Sequence, residues 1–190
     1  ARRRGASPHP QTRRRTMNET AIRSLVDDLV GAWNDRDIDR FISHLDESVI
    51  WDDPAMLLGP AIGRSAVRKF SESILRAFPD FSYRVREPIC IAQSGTRCVI
   101  PWEIRATHTG YFDFLGVAPT QQVITMQGVD VLEIEGVKVT RIDTLFNVLP
   151  ALGQALRLRP LSKSHVTRMV ALWMQRCRAY WLRRTTKGQK

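Results

Sequence analysis

Residues 98–147 read CVIPWEIRATHTG (98–110), YFDFLGVAPT (111–120), QQVITMQGVDVLEIEG (121–136) and VKVTRIDTLFN (137–147). Three runs rich in β-branched and apolar residues, split by one loop of about ten residues and one tight turn, predict three long strands. Alternation places Ile100, Trp102, Ile104, Ala106 and His108 on one face of the first strand, with Val99, Glu103, Arg105 and Thr107 on the other. An apolar face that ends in a histidine is the pattern of a cavity wall with a polar group at its mouth. Carried into the last run, the same period puts Val139, Arg141, Asp143, Leu145 and Asn147 together. A long curved antiparallel sheet carrying an acid and a histidine is therefore the expected seat of any chemistry.

Outward from this stretch, composition narrows the class. A chain of 190 residues suits one domain with appendages. Its 43% hydrophobic and 25% charged residues fit a soluble globular protein. No apolar run approaches the ~20 residues of a membrane span. The three cysteines, Cys90, Cys98 and Cys177, are odd in number and lack any CxxC spacing. That argues against a disulfide framework and a zinc site, and for a reducing, cytoplasmic compartment. The four histidines, His9, His44, His108 and His165, make no pair at ligand spacing, so no metal is expected. No phosphate-cradling glycine loop and no GxSxG elbow is present.

The formal charge of +10 is unevenly spread. All 19 acidic residues lie between Glu19 and Asp143. Residues 17–153 hold 13 Lys and Arg, a net of −6, while residues 1–16 add six arginines and residues 154–190 add ten basic residues. The basicity belongs to the tails, so a nucleic-acid partner is not expected for the fold.

Residues 1–16, with arginine triplets, Pro8 and Pro10, lack apolar periodicity and are read as a disordered basic tail. Met17 is an alternative start, with the preceding residues as upstream sequence. From Asn18, an N-cap candidate, Ile22, Leu25, Val26, Leu29, Val30 and Trp33 form a helical stripe. IDRFISHL is a second short helix, SVIWDDP a brief strand, and Ser65 the expected cap of a third helix through Phe78. PDFSYRVREPICIAQSGTRCVI is expected to be a hairpin with SGT at its tip.

AWNDRDIDRFISHLDESVIWDDP, GRSAVRKF, AFPDF, the stretch from Trp102 to THTG and the helix-breaking LPALGQAL resemble, in this order, the SnoaL-like branch of the NTF2-like proteins. The resemblance covers roughly residues 21–158. It implies an α+β fold: a cone-shaped barrel with three N-terminal helices packed on a curved, mostly antiparallel sheet. The expected division is a tail (1–16), a SnoaL-like domain (17–160) and a basic amphipathic C-terminal helix (161–190). The family holds polyketide cyclases, ester cyclases, isomerases, dehydratases and epoxide hydrolases, so membership narrows the pocket and leaves the reaction open. It implies a hydrophobic small-molecule substrate, no cofactor, and a homodimer paired through a sheet face such as Val123, Thr125, Val129 and Val131.

In SnoaL-like cyclases an aspartate of the last strand removes a proton beside a carbonyl, which points to Asp143. Many relatives carry that acid where this chain has Asn147, and an ion pair with Arg141 or Arg105 is the competing reading. His108 either bonds a substrate oxygen or ties the loop near Gly110. Gln127 either orients substrate or is a plain sheet residue. Trp51 and Asp53 close the first strand, Asp53 being a candidate second carboxylate, and Trp102, on the apolar face that ends in His108, is a candidate substrate contact. Asp53, Arg105 and Asp143 together keep epoxide opening as an alternative, and a non-catalytic binding module as a third. Tyr111 and Phe114 of GYFDFLG would lid the pocket or pack as rim. The C-terminal stripe of Val166, Met169, Val170, Trp173, Met174, Cys177 and Trp181 is expected to dock on the acidic body, on the sheet or across the pocket mouth, with an anionic membrane surface as the alternative and nucleic acid disfavoured because its aromatics sit in the stripe.

Overall fold

The computed structural model describes residues 17–155. The expectations for the basic tail and for the C-terminal amphipathic helix lie outside the described residues. Helix α1 (Glu19–Asp35) starts where expected, because Asn18 Oδ1 accepts the Ala21 N–H at 2.8 Å. Its stripe of Ile22, Leu25, Val26, Leu29 and Trp33 is buried, and the helix stops at Arg36 in a left-handed conformation. Helix α2 (Ile38–Ser43) is capped by Asp37, whose side chain accepts the Arg40 N–H at 2.9 Å. Strands β1 (Leu45–Asp52) and β2 (Ala61–Ile62) precede helix α3 (Arg64–Ala77). Ser65 is not the cap of α3. Gly63, at φ 79°, sits at the N-cap with no side-chain bond, a backbone angle that glycine takes without strain.

Strands β3 (Ser82–Val85), β4 (Cys90–Ile91), β5 (Arg97–Thr107), β6 (Val123–Glu135) and β7 (Lys138–Phe146) follow, then helix α4 (Val148–Ala155). The sheet runs β2-β1-β7-β6-β5-β3, with β4 also on β5; β1 is parallel to β7 and every other pair is antiparallel. It is a curved, mixed, unclosed sheet with helices packed against it. The expected hairpin at 79–100 resolves into two short strands on β5, with Val85 opposite Trp102 and Cys90 opposite Val99.

Strands β5 and β6 pair without interruption from Arg97–Glu133 to Thr107–Val123. Period-two alternation therefore survives the whole length of β5, and Cys98, Ile100, Trp102, Ile104, Ala106 and His108 are all buried. Strand β7 breaks the rule. Ile134 pairs with Val139 but Glu133 pairs with Arg141, so Thr140 is an extra residue, a β-bulge. One inserted residue exchanges the faces of everything beyond it. Val139 points inward with Ile142 and Thr144, whereas Arg141 and Asp143 are part-exposed and Leu145 is exposed.

Aromatic rings join the helices to the sheet. Trp33 of α1 lies 5.2 Å from Phe41, 5.3 Å from Phe81 and 6.0 Å from Trp51, and Trp51 meets Phe70 of α3 edge-on at 5.0 Å. Such pairs add about 0.5–1.5 kcal/mol each beyond the area they bury. The segment expected to break a helix forms α4 instead. Pro150 falls in its first turn, where no intrahelical N–H is needed. The Gln154 side chain then bonds both the N–H and the C=O of Thr125, at 2.8 and 3.1 Å, pinning α4 to β6.

Candidate active site

The inner faces of β5, β6 and β7, the end of β1, helices α3 and α4 and the loop after β5 enclose a cavity walled by Trp33, Phe70, Phe78, Ile104, Met126 and Phe146, among others. About 130 Å³ is open to the centre of a water-sized sphere, several times the ~10–15 Å³ that one water needs. A small organic molecule fits. Gly128 makes room for one wall: a Cβ there would lie 2.5 Å from Trp102 Cζ2, so only glycine lets the indole lie against β6.

Few polar side chains face this space. Asp53, Asp130, Tyr83, Thr144, Trp51, Trp102 and His108 supply them. Asp130 is the hub. Tyr83 Oη donates to its Oδ2 at 2.9 Å, Thr144 Oγ1 donates to its Oδ1 at 2.8 Å, and Trp51 Nε1 donates to Thr144 Oγ1 at 2.9 Å. Residues from β1, β3, β6 and β7 thus converge on one carboxyl. Burial pushes the Asp130 carboxyl above the usual range, against the pull of Thr144 and Tyr83. The Trp102 indole N–H also favours the carboxylate, yet it is buried with no partner at hydrogen-bonding geometry. The Tyr83 phenol is pushed well up, by burial first and by Asp130 second.

Asp53 is buried at the end of β1, and its Oδ1 accepts the Ala55 N–H at 2.7 Å. Burial lifts its carboxyl from 3.8 to about 7; the Ala55 bond opposes this, and the nearby charges of Asp130 and Asp52 add to it. A carboxyl balanced near neutrality in an apolar cavity is equipped to take and return a proton. A second acid beside it drives the two proton affinities apart, so one group holds its proton while the other releases it.

The loop after β5 closes one side. Phe112 bridges Val117, Arg76 pairs with Asp113 at 2.6 Å, and Phe112, Leu115 and Val117 line the cavity. His108 is buried at the start of this loop, 5.0 Å from the Phe78 ring centroid. Burial lowers its affinity for a second proton.

Of the residues singled out from the sequence, Trp51, Asp53, Trp102 and His108 line the cavity. Asp143 does not: the bulge at Thr140 turns it to the outer face, where Arg141 holds it at 2.7 Å. Asn147 is exposed, and its Oδ1 accepts the Leu149 N–H at 3.2 Å in the first turn of α4. Gln127 is on the outer face, accepting from Arg86 at 2.8 Å and donating to Glu103 at 3.0 Å. Arg105 is exposed on the outer face of β5. Tyr111 is exposed, and Phe114 packs edge-on to Phe70, 4.8 Å away, outside the residues that line the cavity.

The sequence reading missed Asp130, Tyr83 and Thr144. Asp130 carried a signal: it shares a period with Ile124, Met126, Leu132 and Ile134, an acid on an otherwise apolar face. Among the described residues no cluster of three or more His, Cys, Asp or Glu could hold a metal, and no helix is long and apolar enough to cross a membrane.

A family model described as SnoaL-like polyketide cyclase matches residues 23–155. Among solved structures, AclR of Streptomyces galilaeus, a proposed hydroxylase, is 25% identical at a TM-score of 0.64, covering 77% of this chain and 91% of its own. A proposed SnoaL-like polyketide cyclase of a Jannaschia species is 18% identical at 0.65, covering 82% of this chain and 100% of its own. SalBIII, an epoxide hydrolase/cyclase-like enzyme of pyran ring formation in the polyether salinomycin, is 17% identical at 0.58, covering 68% of this chain and 93% of its own. The last two likenesses show the fold alone. No curated protein matches the chain.

Proposed function

The chain belongs to the SnoaL-like polyketide cyclase family, and on that premise we propose a cofactor-independent enzyme that moves a proton on a hydrophobic, carbonyl-bearing small molecule. The observation that carries this reading is the Asp53 carboxyl, buried in an apolar cavity beside Asp130 and lifted to about 7. Asp53 as carboxylate takes the proton from the carbon beside the carbonyl, and the electron pair moves onto the carbonyl oxygen to give an enolate. The Trp102 N–H, buried with no partner at hydrogen-bonding geometry, is a donor available to that oxygen. The enolate carbon then bonds a second carbonyl carbon of the same molecule. The alkoxide so formed takes the proton back from Asp53, and the net change is an isomerisation with no co-reactant. Asp143, outside the cavity, takes no part.

The test is deuterium exchange at C1 of 2-tetralone in heavy water, followed by NMR. Wild type accelerates exchange, and Asp53→Asn loses about 10²- to 10⁴-fold, the usual worth of a positioned base. An unchanged rate in Asp53→Asn sinks the proposal. Saturable binding without exchange selects a non-catalytic binding module.

The coupled acid pair also favours epoxide opening: a protonated carboxyl hands its proton to the epoxide oxygen while the other carboxylate removes one from the attacking hydroxyl or water. Asp53-dependent opening of 1,2-epoxytetralin, with 2-tetralone left untouched, selects that reading.

A further inference from the structure

Asp53 and Asp130 share a cavity that no lysine or arginine lines among the described residues. Two acids in such a space cannot both be charged cheaply, so the donors around each decide which one is. Their donor sets differ. Asp53 accepts the Ala55 N–H alone. Asp130 accepts an O–H on each oxygen, from Thr144 at Oδ1 and from Tyr83 at Oδ2.

A third residue fixes the direction of the Thr144 bond. An indole N–H can only donate, so Thr144 Oγ1 is the acceptor in the 2.9 Å bond from Trp51. The one hydroxyl hydrogen of Thr144 is then left for Asp130, 2.8 Å away. Tyr83 is held through its backbone. Asn34 of α1 accepts the Tyr83 N–H at 2.8 Å and donates to the Tyr83 carbonyl at 2.9 Å, which sets the position of the ring that carries Oη. Trp51, Tyr83 and Thr144 are all buried, so bulk water does not compete for these bonds.

Burial raises both acids, and the donors separate them. Two O–H groups aimed at one carboxyl favour its charged form. The other titratable groups facing the pair are Asp52 beside Asp53, Tyr83 and Cys98 beside Asp130, and His108 on the cavity wall. Burial pushes the phenol well up and the thiol to about 11, and it disfavours the imidazolium. At neutral pH none of them sets a positive charge against the two carboxyls.

We infer that Thr144 and Tyr83 are positioning residues for the proposed reaction: their hydroxyls fix Asp130 as the charged member of the pair, and its negative charge keeps the working proton on Asp53. Both act through Asp130, and Trp51 and Asn34 hold them in place. The inference rests on Asp53 as the base and names what poises it.

Carboxyl-carbon NMR of protein labelled at aspartate Cγ, without ligand, reads the two acids directly; Asp53→Asn and Asp130→Asn identify their signals. In wild type Asp130 is expected to ionise first, and Asp53 near 7. Thr144→Val and Tyr83→Phe should each raise the Asp130 midpoint by about one pH step, the worth of one hydrogen bond to a charged group. Thr144→Ser, which keeps the hydroxyl, should hold it. Asp130→Asn should lower the Asp53 midpoint, and the pH profile of 2-tetralone exchange should move down with it, a shift that loosened packing alone does not produce. Three results each overturn the inference: Asp53 ionising before Asp130, an Asp130 midpoint unmoved in Thr144→Val or in Tyr83→Phe, or an Asp53 midpoint unmoved in Asp130→Asn. If circular dichroism shows Thr144→Val unfolded, Tyr83→Phe and Asp130→Asn decide. Any of these results alongside Asp53-dependent exchange sinks this inference alone. The expected midpoints without Asp53-dependent exchange sink the catalytic reading and leave the hold on Asp130 standing.

Discussion

Replacing Asp53 by asparagine tests the burial argument through stability rather than rate. Asparagine keeps the shape of the side chain and an oxygen for the Ala55 N–H, now bonded at 2.7 Å. What it removes is a proton equilibrium. In the unfolded chain the carboxyl releases its proton near 3.8, and in the folded protein near 7. Below about pH 4 both states hold the proton, and Asp53 costs nothing. Between about 4 and 7 the unfolded chain ionises first, so wild-type stability falls by about 1.4 kcal/mol for each pH step. The accumulated loss is about 4 kcal/mol, and it persists above 7, where both states are ionised. Asp53→Asn escapes it. Urea unfolding with linear extrapolation should show the variant more stable by up to about 4 kcal/mol near pH 8 and equal to wild type near pH 4. A variant that is no more stable near pH 8, or a difference that does not change with pH, refutes the claim that burial holds the proton on Asp53. The same substitution should abolish exchange, a trade of stability against function common at strained sites.

The exchange rate of wild type should rise with pH through about 7, as Asp53 becomes a base; a rate flat across that range counts against it. Asp143→Asn should leave exchange within about twofold and cost under ~1 kcal/mol in urea unfolding, because its partner Arg141 lies at the outer surface. Thr144→Val removes the donor to Asp130 and the acceptor of the Trp51 N–H, so a loss of about 2–3 kcal/mol is expected in thermal unfolding. Gly128→Ala puts a methyl 2.5 Å from Trp102 and 2.6 Å from the Leu145 carbonyl oxygen. Backbone cannot step aside cheaply, so the expected cost is on the order of 3 kcal/mol, read from the shift of the melting temperature.

What could be read from the chain alone was what depends on neighbours in sequence. The stripe of α1 and its Asn18 cap, the short α2, the inward face of β5 and the acidic body between basic tails follow from local spacing and composition. The order of these elements was enough to recognise the family. Alternation located Trp102 and His108 on the cavity face because β5 pairs with β6 without a break. The same rule misplaced Asp143, because alternation carries no record of a bulge, and the extra residue at Thr140 is visible only against the partner strand.

The chemistry of the acids was decided later still. Asp130 is one residue in an alternating strand until Tyr83, Thr144 and Trp51, 47, 14 and 79 positions away, are gathered around it by the sheet. Asp53 is an ordinary carboxyl until the cavity withdraws water from it and Asp130 adds a like charge. Proton affinity is set by solvation and nearby charge, both properties of the space around a group. Sequence could nominate carboxylates, and only the tertiary fold could say which of them is dry.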